Sequence, residues 1–181
     1  MREPGPRPLA GRTILVTGST GFIGRPVCRE LLEAGASVRG ASREGGEHPV
    51  GGVERVRVAD PLDRQAVRAA VTGADAIVHL AARVHVMRES AADPLAEFRR
   101  ANAESTGLLA EEAAAAGVWQ LVLASTVKAV GEGNSVAWTE DTPPAPTDPY
   151  GTRGNRSAAA RVPWRCATSR TRRSASSLLV P

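Results

Sequence analysis

The 181-residue sequence is poor in the features that mark exported or membrane-spanning proteins. Its two cysteines, Cys28 and Cys166, are too few and too far apart for a disulfide framework or a metal site, so we expect a reducing setting and no metal. No apolar run approaches the roughly 18 residues that span a bilayer. Residues 1–10 are proline-rich and lack the apolar core of a secretory signal, and we expect a flexible arm there. The sequence therefore predicts a cytoplasmic protein with no membrane partner.

Acidic residues are absent from residues 151–181, which contain seven arginines. The first 150 residues contain 16 basic and 19 acidic residues, so the net charge of +4 comes from the last segment alone. The chain as a whole lacks the basic surface of a nucleic-acid-binding protein, and we expect no nucleic-acid partner. Residues 154–181 also lack apolar periodicity, which predicts a disordered Arg/Ser-rich tail.

Short apolar runs alternate with helical patterns between residues 11 and 153, which predicts one α/β domain. Strands are expected at residues 13–16, 37–41, 53–58, 76–80 and 121–124, and helices at residues 22–34, 63–71 and 94–116. This alternation requires crossover connections and a doubly wound parallel sheet, in which ligands bind beyond the carboxyl ends of the strands. We therefore expect the functional residues at four places: residues 17–24, 42–43, 79–82 and 125–126.

A glycine-rich segment, Thr17-Gly18-Ser19-Thr20-Gly21-Phe22-Ile23-Gly24, joins the first predicted strand to the first predicted helix. Gly18 would permit a tight turn, Gly21 would let a pyrophosphate approach the backbone, and Gly24 would let helix and strand pack closely. The helix N-terminus adds free N–H groups and a positive dipole. This context favours a dinucleotide site over an ordinary glycine-rich loop.

The pattern TGxxGxxG, rather than GxGxxG, resembles the extended short-chain dehydrogenase/reductases, also called the NAD-dependent epimerase/dehydratase family. The resemblance continues in order through Asp60, His79-Leu80-Ala81-Ala82, Asn102, Ser125-Thr126 and Asp148-Pro149-Tyr150-Gly151. It covers about residues 11–153 and implies a Rossmann fold that binds NAD or NADP. It also implies an oxidoreductase that epimerises, dehydrates or reduces a nucleotide sugar, and a homodimer paired through two helices, one of which resembles residues 94–116.

The resemblance implies a set of cofactor contacts along the carboxyl edge of the sheet. They are Gly18, Thr20, Gly21, Phe22, Ile23, Gly24, Ser42, Arg43, Asp60, Leu80, Ala81, Ala82 and Ser125. Asp60 would contact the adenine, or alternatively lie in the N-cap region of the next helix. His79 is expected to be a packed core histidine rather than a catalyst, and Asn102 resembles a structural asparagine of the family.

The end of the second strand selects between the two cofactors. An acid there binds the ribose hydroxyls, whereas an arginine accommodates a 2′-phosphate. This sequence has Ser42-Arg43 with Arg39 nearby, which favours NADP over NAD. An exposed loop arginine with no cofactor role is the alternative interpretation.

Thr126 and Tyr150 match the family's catalytic pair, although Thr126 is alternatively a strand-end hydroxyl that caps a turn. The tyrosine would remove a substrate hydroxyl proton while hydride leaves for the nicotinamide. Because the pKa of tyrosine is ~10, bringing it near 7 requires ~4 kcal/mol of phenolate stabilisation. The family obtains much of this from a lysine four residues later, and here that position is Gly154. Partial compensation by Arg153 or Arg156 is the alternative, although the pKa and geometry of arginine differ from those of lysine.

The sequence therefore predicts a severely impaired enzyme. After Arg153 nothing resembles the family, which predicts a truncated domain and is consistent with a shifted reading frame in a GC-rich gene. A dinucleotide-binding module without catalysis is the second interpretation, because it requires the glycine turn but not the missing lysine.

Overall fold

The computed structural model describes residues 8–83, 94–133, 137–139, 142–143 and 145–147. In these residues the chain folds into five parallel strands with helices between them. The strands are β1 (Thr13–Thr17), β2 (Ser37–Ser42), β3 (Val53–Arg57), β4 (Ala76–His79) and β5 (Gln120–Leu123). The helices are α1 (Gly24–Glu33), α2 (Arg64–Val71), α3 (Pro94–Phe98) and α4 (Ser105–Ala115), with a π-helical segment (Arg99–Glu104) before α4 and a 3₁₀ turn (Val127–Ala129) after β5. None of these described helices is long and apolar enough to cross a membrane.

The strand order is β3-β2-β1-β4-β5, and every neighbouring pair is parallel. The chain builds outward from β1 to β3 and then returns to the other side of β1. The strand order therefore reverses between β1 and β4, whose last residues, Thr17 and His79, lie opposite each other. This order is Rossmann-like and confirms the predicted doubly wound sheet. Its crevice at the reversal is where such sheets bind ligands.

The two faces of the sheet are covered by two separate apolar clusters. Leu15 and Ile77 point to the α2 and α4 side, whereas Ile14 and Val16 point to the α1 side, where Cys28 is fully buried. A strand buried on both faces needs apolar side chains at successive positions, which explains the continuous apolar run in β1. Burial raises the pKa of the Cys28 thiol to about 11, so this cysteine stays protonated at neutral pH.

The predicted helix boundaries differ from the structure at three places. Helix α1 starts at Gly24 rather than at residue 22, because the glycine turn extends to Ile23. Helix α2 starts one residue late because Asp63 is its N-cap, with Oδ1 accepting from Gln65 N at 3.0 Å. The predicted helix 94–116 is interrupted by the π-helical segment.

Helices α2 and α4 are joined by a buried carboxylate. Glu112 is only 2% exposed and accepts a hydrogen bond at 2.7 Å from Arg68 Nε and another from Arg64 Nη1. Arg64 also pairs with the exposed Glu111 at 2.8 Å. Hydrogen bonds from Arg68 and Arg64 hold the pKa of Glu112 below its ordinary value.

We expect Glu112→Gln to lower the melting temperature at pH 7, because the ionised carboxylate holds two guanidinium groups against α4. A carboxyl group whose pKa is depressed by folding stabilises the protein above its ordinary value of 4.5, and this contribution is lost as the pH falls through the folded-state value. The difference in melting temperature between wild type and variant should therefore shrink below about pH 4. Glu111→Gln is the exposed control with a smaller expected effect. A difference that is independent of pH would contradict the role of the charge.

Candidate functional site

The turn between β1 and α1 brings the backbone after β1 against the backbone after β4. Gly18 adopts φ 66°, and Gly21 N donates to its carbonyl oxygen at 3.0 Å. A Cβ at Gly18 would lie 2.8 Å from Ala81 N. Only glycine allows this conformation and this approach together.

Helix α1 packs onto the same turn through Gly24. A Cβ at this position would lie 2.7 Å from Ser19 Cα, so the helix reaches the turn only because the side chain is absent. The first turn of α1 contains no acidic residue, which leaves the positive end of its dipole uncompensated. Phe22 is 96% exposed and Ile23 59% exposed, so these residues contribute backbone N–H groups rather than packing.

The segment after β4 forms the other wall of the crevice. Leu80 N donates to the Thr17 carbonyl at 3.2 Å, and Ala81 N donates to the Thr17 hydroxyl at 3.1 Å. Two hydrogen bonds to one residue thus hold the start of the Leu80-Ala81-Ala82 segment beside Gly18. The small side chains of Ala81 and Ala82 narrow this crevice little.

Buried polar side chains lie directly behind this wall. Thr17 Oγ1 is 2.6 Å from His79 Nδ1, and His79 Nε2 is 3.0 Å from Thr106 Oγ1. The Thr106 hydroxyl donates to the Asn102 carbonyl at 2.6 Å. His79, only 4% exposed, is therefore a packed histidine within a hydrogen-bond chain, as the sequence predicts.

The π-helical segment turns Asn102 toward the end of the same wall. The Asn102 side chain accepts from Arg83 N at 2.7 Å and donates to Arg83 O at 3.0 Å, with the asparagine 1% exposed. A side-chain amide that satisfies both backbone groups of one residue fixes the course of that residue. Asn102 thus has the structural role that its resemblance implies.

The end of β2 is organised by Arg55 from the neighbouring strand. Arg55 Nε donates to Ser42 Oγ at 2.8 Å, and its Nη1 donates to the carbonyl oxygens of Gly45 at 3.0 Å and Glu47 at 2.6 Å. Arg43 is exposed beside this cluster. Arg39, in contrast, lies in the middle of β2, opposite Leu15, where it bonds Thr72 O at 2.6 Å and pairs with Glu54 at 3.3 Å.

The loop after β2 folds back toward the glycine turn instead of extending into solvent. Val50 is buried in the α1-side cluster, and His48 Nδ1 accepts from Val50 N at 3.1 Å. A Cβ at Gly40 would lie 2.9 Å from His48 Cδ2 and 2.7 Å from Ser19 Oγ, so three segments meet there. Burial, followed by the charges of Arg55 and Arg25, lowers the pKa of His48.

Asp60 lies at the end of β3, exposed, in the turn that leads into α2. Its Oδ1 accepts from Leu62 N at 2.9 Å, and its Oδ2 is 3.3 Å from Arg100 Nη2. The N-cap of α2 itself is Asp63. The carboxylate thus belongs to the N-cap region and also faces solvent, and its contact with adenine stays a prediction.

Ser125 and Thr126 follow β5, as predicted, at the carboxyl edge of the sheet beside β4. Thr126 Oγ1 accepts from Lys128 N at 3.3 Å and caps the 3₁₀ turn. The cap thus bears out the interpretation of Thr126 as a strand-end hydroxyl that caps a turn, and its catalytic role stays a prediction. Lys128, the only lysine of the chain, pairs with Glu132 at 2.6 Å. Tyr150, the other predicted catalytic residue, lies outside the described residues, as does the tail 154–181.

Sequence reasoning missed three residues that shape the site: Arg55, His48 and Thr106. For Thr106 the only sequence signal is its position four residues after Asn102, which places both residues on one face of the predicted helix. Arg55 and His48 reach the site through the parallel register and a folded loop, which no local pattern encodes.

A model of the NAD-dependent epimerase/dehydratase family matches residues 14–155 of this chain. The chain belongs to this family. The match confirms the resemblance that the glycine turn and the five later motifs carry. It also includes all of the described sheet except Thr13, the first residue of β1.

Two curated relatives are 35% identical to this chain and differ in chemistry. A 3-diazoavenalumate denitrifying reductase from Streptomyces sp matches over 132 residues, which are 72% of this chain and 43% of that protein. A UDP-glucose 4-epimerase from Vibrio cholerae matches over 146 residues, which are 77% of this chain and 43% of that protein. The chain therefore spans less than half the length of these relatives.

Solved structures show the same fold. A short-chain dehydrogenase/reductase superfamily protein from Agrobacterium tumefaciens with bound NAD has a TM-score of 0.71 and 32% identity, covering 82% of this chain and 44% of that chain. MoeE5 in complex with UDP-glucose and NAD has a TM-score of 0.69 and 29% identity, covering 82% of this chain and 47% of that chain.

We expect Gly18→Ala to lower the free energy of unfolding by about 2–4 kcal/mol, because it combines a left-handed alanine with a backbone clash at Ala81. Gly11→Ala is the matched control, since Gly11 has φ 75° but nothing within 4 Å of its Cβ position. It should lose only the conformational part, about 1–2 kcal/mol. Urea unfolding followed by circular dichroism measures both values. If both variants lose the same free energy of unfolding, the contact between position 18 and Ala81 adds no steric cost, which would contradict this prediction.

Proposed function

We propose that this chain binds a nicotinamide dinucleotide in the crevice between the carboxyl ends of β1 and β4. The observation that supports this most strongly is the backbone contact between Gly18 and Ala81 beside the uncompensated N-terminus of α1. Amides of the turn from Gly21 to Gly24 would hold the pyrophosphate, since the exposed side chains of Phe22 and Ile23 leave the backbone accessible. Gly18, Thr20, Leu80 and Ala82 would line the path of the dinucleotide.

The finer proposal is a preference for NADP over NAD. Ser42 and Arg43 end β2 without a carboxylate at the position that binds ribose hydroxyls in NAD-selective sheets. Arg55 adds a second guanidinium fixed beside Ser42, and Glu44 supplies only its backbone carbonyl to Ser42 Oγ at 2.9 Å. Arg39 does not contribute because its contacts lie in the middle of the sheet. Two cations at this edge favour a 2′-phosphate.

We propose further that the reaction attached to this site is hydride transfer on a nucleotide sugar, as in an epimerase, dehydratase or reductase. A bound nicotinamide would accept or return the hydride. The Thr126 hydroxyl would donate a hydrogen bond to the substrate oxygen, and Tyr150 would take its proton. With Gly154 in place of the lysine, the Tyr150 phenolate lacks its main stabilising charge, so turnover is expected to be severely reduced.

The second candidate function is a binding module without catalysis. All the residues proposed to hold the dinucleotide lie in the described part of the chain before residue 134, whereas the proposed proton acceptor, Tyr150, comes later in the sequence. A homodimer paired through residues 94–116 remains part of the proposal.

Isothermal titration of the purified chain with NADP and NAD tests the proposed cofactor site. NADP is expected to bind more tightly, and Arg43→Gln to weaken NADP about tenfold while leaving NAD unchanged, since only NADP carries the 2′-phosphate. Arg29→Gln, an exposed change on α1, is the control and should change neither affinity. A parallel loss of both cofactors would contradict the role of Arg43, and silence toward both would remove the binding site itself.

Hydride transfer separates the two candidate functions. With UDP-glucose and either cofactor, we expect conversion of the nucleotide sugar, followed by chromatography of the products, to be very slow or absent; absorbance at 340 nm is the additional readout for a reaction that does not return the hydride. Any turnover should fall at least tenfold in Tyr150→Phe with unchanged cofactor affinity, because the phenyl ring removes only the proton acceptor. Turnover that survives in Tyr150→Phe would assign the proton transfer to another group.

A further inference from the structure

Thr17 and His79 are the only polar side chains in the described parts of β1 and β4 that meet across the two strands at the crevice. They lie opposite each other in the parallel register, 9% and 4% exposed. The neighbouring pairs of this register, such as Val16 and Val78, are apolar. Their 2.6 Å hydrogen bond therefore stands out as a polar contact at the point where the crevice begins.

For a neutral His79 imidazole, the described hydrogen-bond partners assign a direction to each bond in this contact. The Thr106 hydroxyl gives its single proton to the Asn102 carbonyl, so its oxygen must accept from His79 Nε2. In a neutral imidazole with a protonated Nε2, Nδ1 is an acceptor. Thr17 therefore donates its hydroxyl proton to Nδ1, and its oxygen lone pairs face Ala81 N at 3.1 Å.

This direction matters because the oriented hydroxyl acts on the wall of the crevice. The Thr17 oxygen holds the Ala81 amide, and the same amide nitrogen lies 2.8 Å from the Cβ position that Gly18 lacks. A rotation of the Thr17 side chain would release the Ala81 amide from this contact. The position of the wall after β4 thus depends on the Thr17–His79 pair.

We propose that Thr17 and His79 are positioning residues that fix the wall after β4 for the second half of the dinucleotide. This inference rests on the proposed cofactor binding. In a sheet of this order the dinucleotide lies across the point of reversal, with its adenosine diphosphate half over β1 to β3 and its nicotinamide half beyond β4. Only the second half lies beside the Leu80-Ala81-Ala82 segment that Thr17 holds. Loss of the Thr17–His79 hydrogen bond should therefore weaken the binding of NAD and NADP more than the binding of ADP.

The test compares NAD and ADP affinity by isothermal titration in the full chain. Thr17→Val has the shape of threonine without the hydroxyl, so it is expected to weaken NAD about tenfold and to leave ADP within about twofold. Thr17→Ser keeps the hydroxyl and should restore the NAD affinity. Ser105→Ala is the matched control, because Ser105 is 5% exposed and its hydroxyl bonds only the Ala101 carbonyl among the contacts described here, at 2.7 Å. It should leave the NAD-to-ADP ratio unchanged.

Thr106→Val provides a second route if Thr17→Val does not fold. It frees His79 Nε2 without altering the crevice wall and should also weaken NAD more than ADP. Proportional loss of both ligands, or no rescue by Thr17→Ser, would reduce the pair to a purely structural role and overturn the inference. If the wild type binds NAD and the variants bind it with the same affinity, this inference alone is overturned. If the wild type binds neither NAD nor ADP, both the proposed function and this inference are contradicted.

Discussion

The approach of the backbone after β1 to the backbone after β4 is the constraint on which the site depends. A side chain at Gly18 would meet Ala81 N at 2.8 Å, so the crevice exists only because one wall is glycine and the other is an exposed edge of peptide groups. Parallel pairing of β1 and β4 places these walls side by side at the point where the strand order reverses. The groups that this part of the structure offers to the proposed ligand are thus mostly main-chain atoms.

A main-chain site needs its peptide groups held from behind, and three buried polar side chains do this. Thr17 holds Ala81, Asn102 holds Arg83, and His79 joins Thr17 to the helix that carries Asn102. Buried hydrogen bonds of this kind add little net stability but cost much when one partner is lost. They therefore select one position of the wall more than they stabilise the fold, which is what a crevice of fixed width requires.

The strand positions, the parallel sheet and the glycine turn were predictable because each depends on local pattern. An apolar run in Ile14–Val16 or a glycine at position 18 has the same consequence in any parallel sheet. The π-helical segment was not predictable, since it depends on where Asn102 must reach. Arg55 was missed for a similar reason: its neighbour Ser42 is 13 residues away, and only the register of β2 with β3 brings them together. Arg39 lies three residues before Ser42 in sequence but in the middle of β2, opposite Leu15, so it does not reach the end of the strand.

The same distinction separates binding from turnover in this chain. The proposed dinucleotide binding would draw on backbone groups of β1, β4 and α1, which local sequence specifies and the sheet aligns. The proposed proton transfer would need the pKa of one phenol brought several units below its ordinary value, and the cation that would do this is absent from position 154, which is Gly154. Lys128 cannot replace it, since that ammonium group is paired with Glu132 after β5. In the proposed function, separate parts of the sequence thus specify the binding groups and the charge for proton transfer.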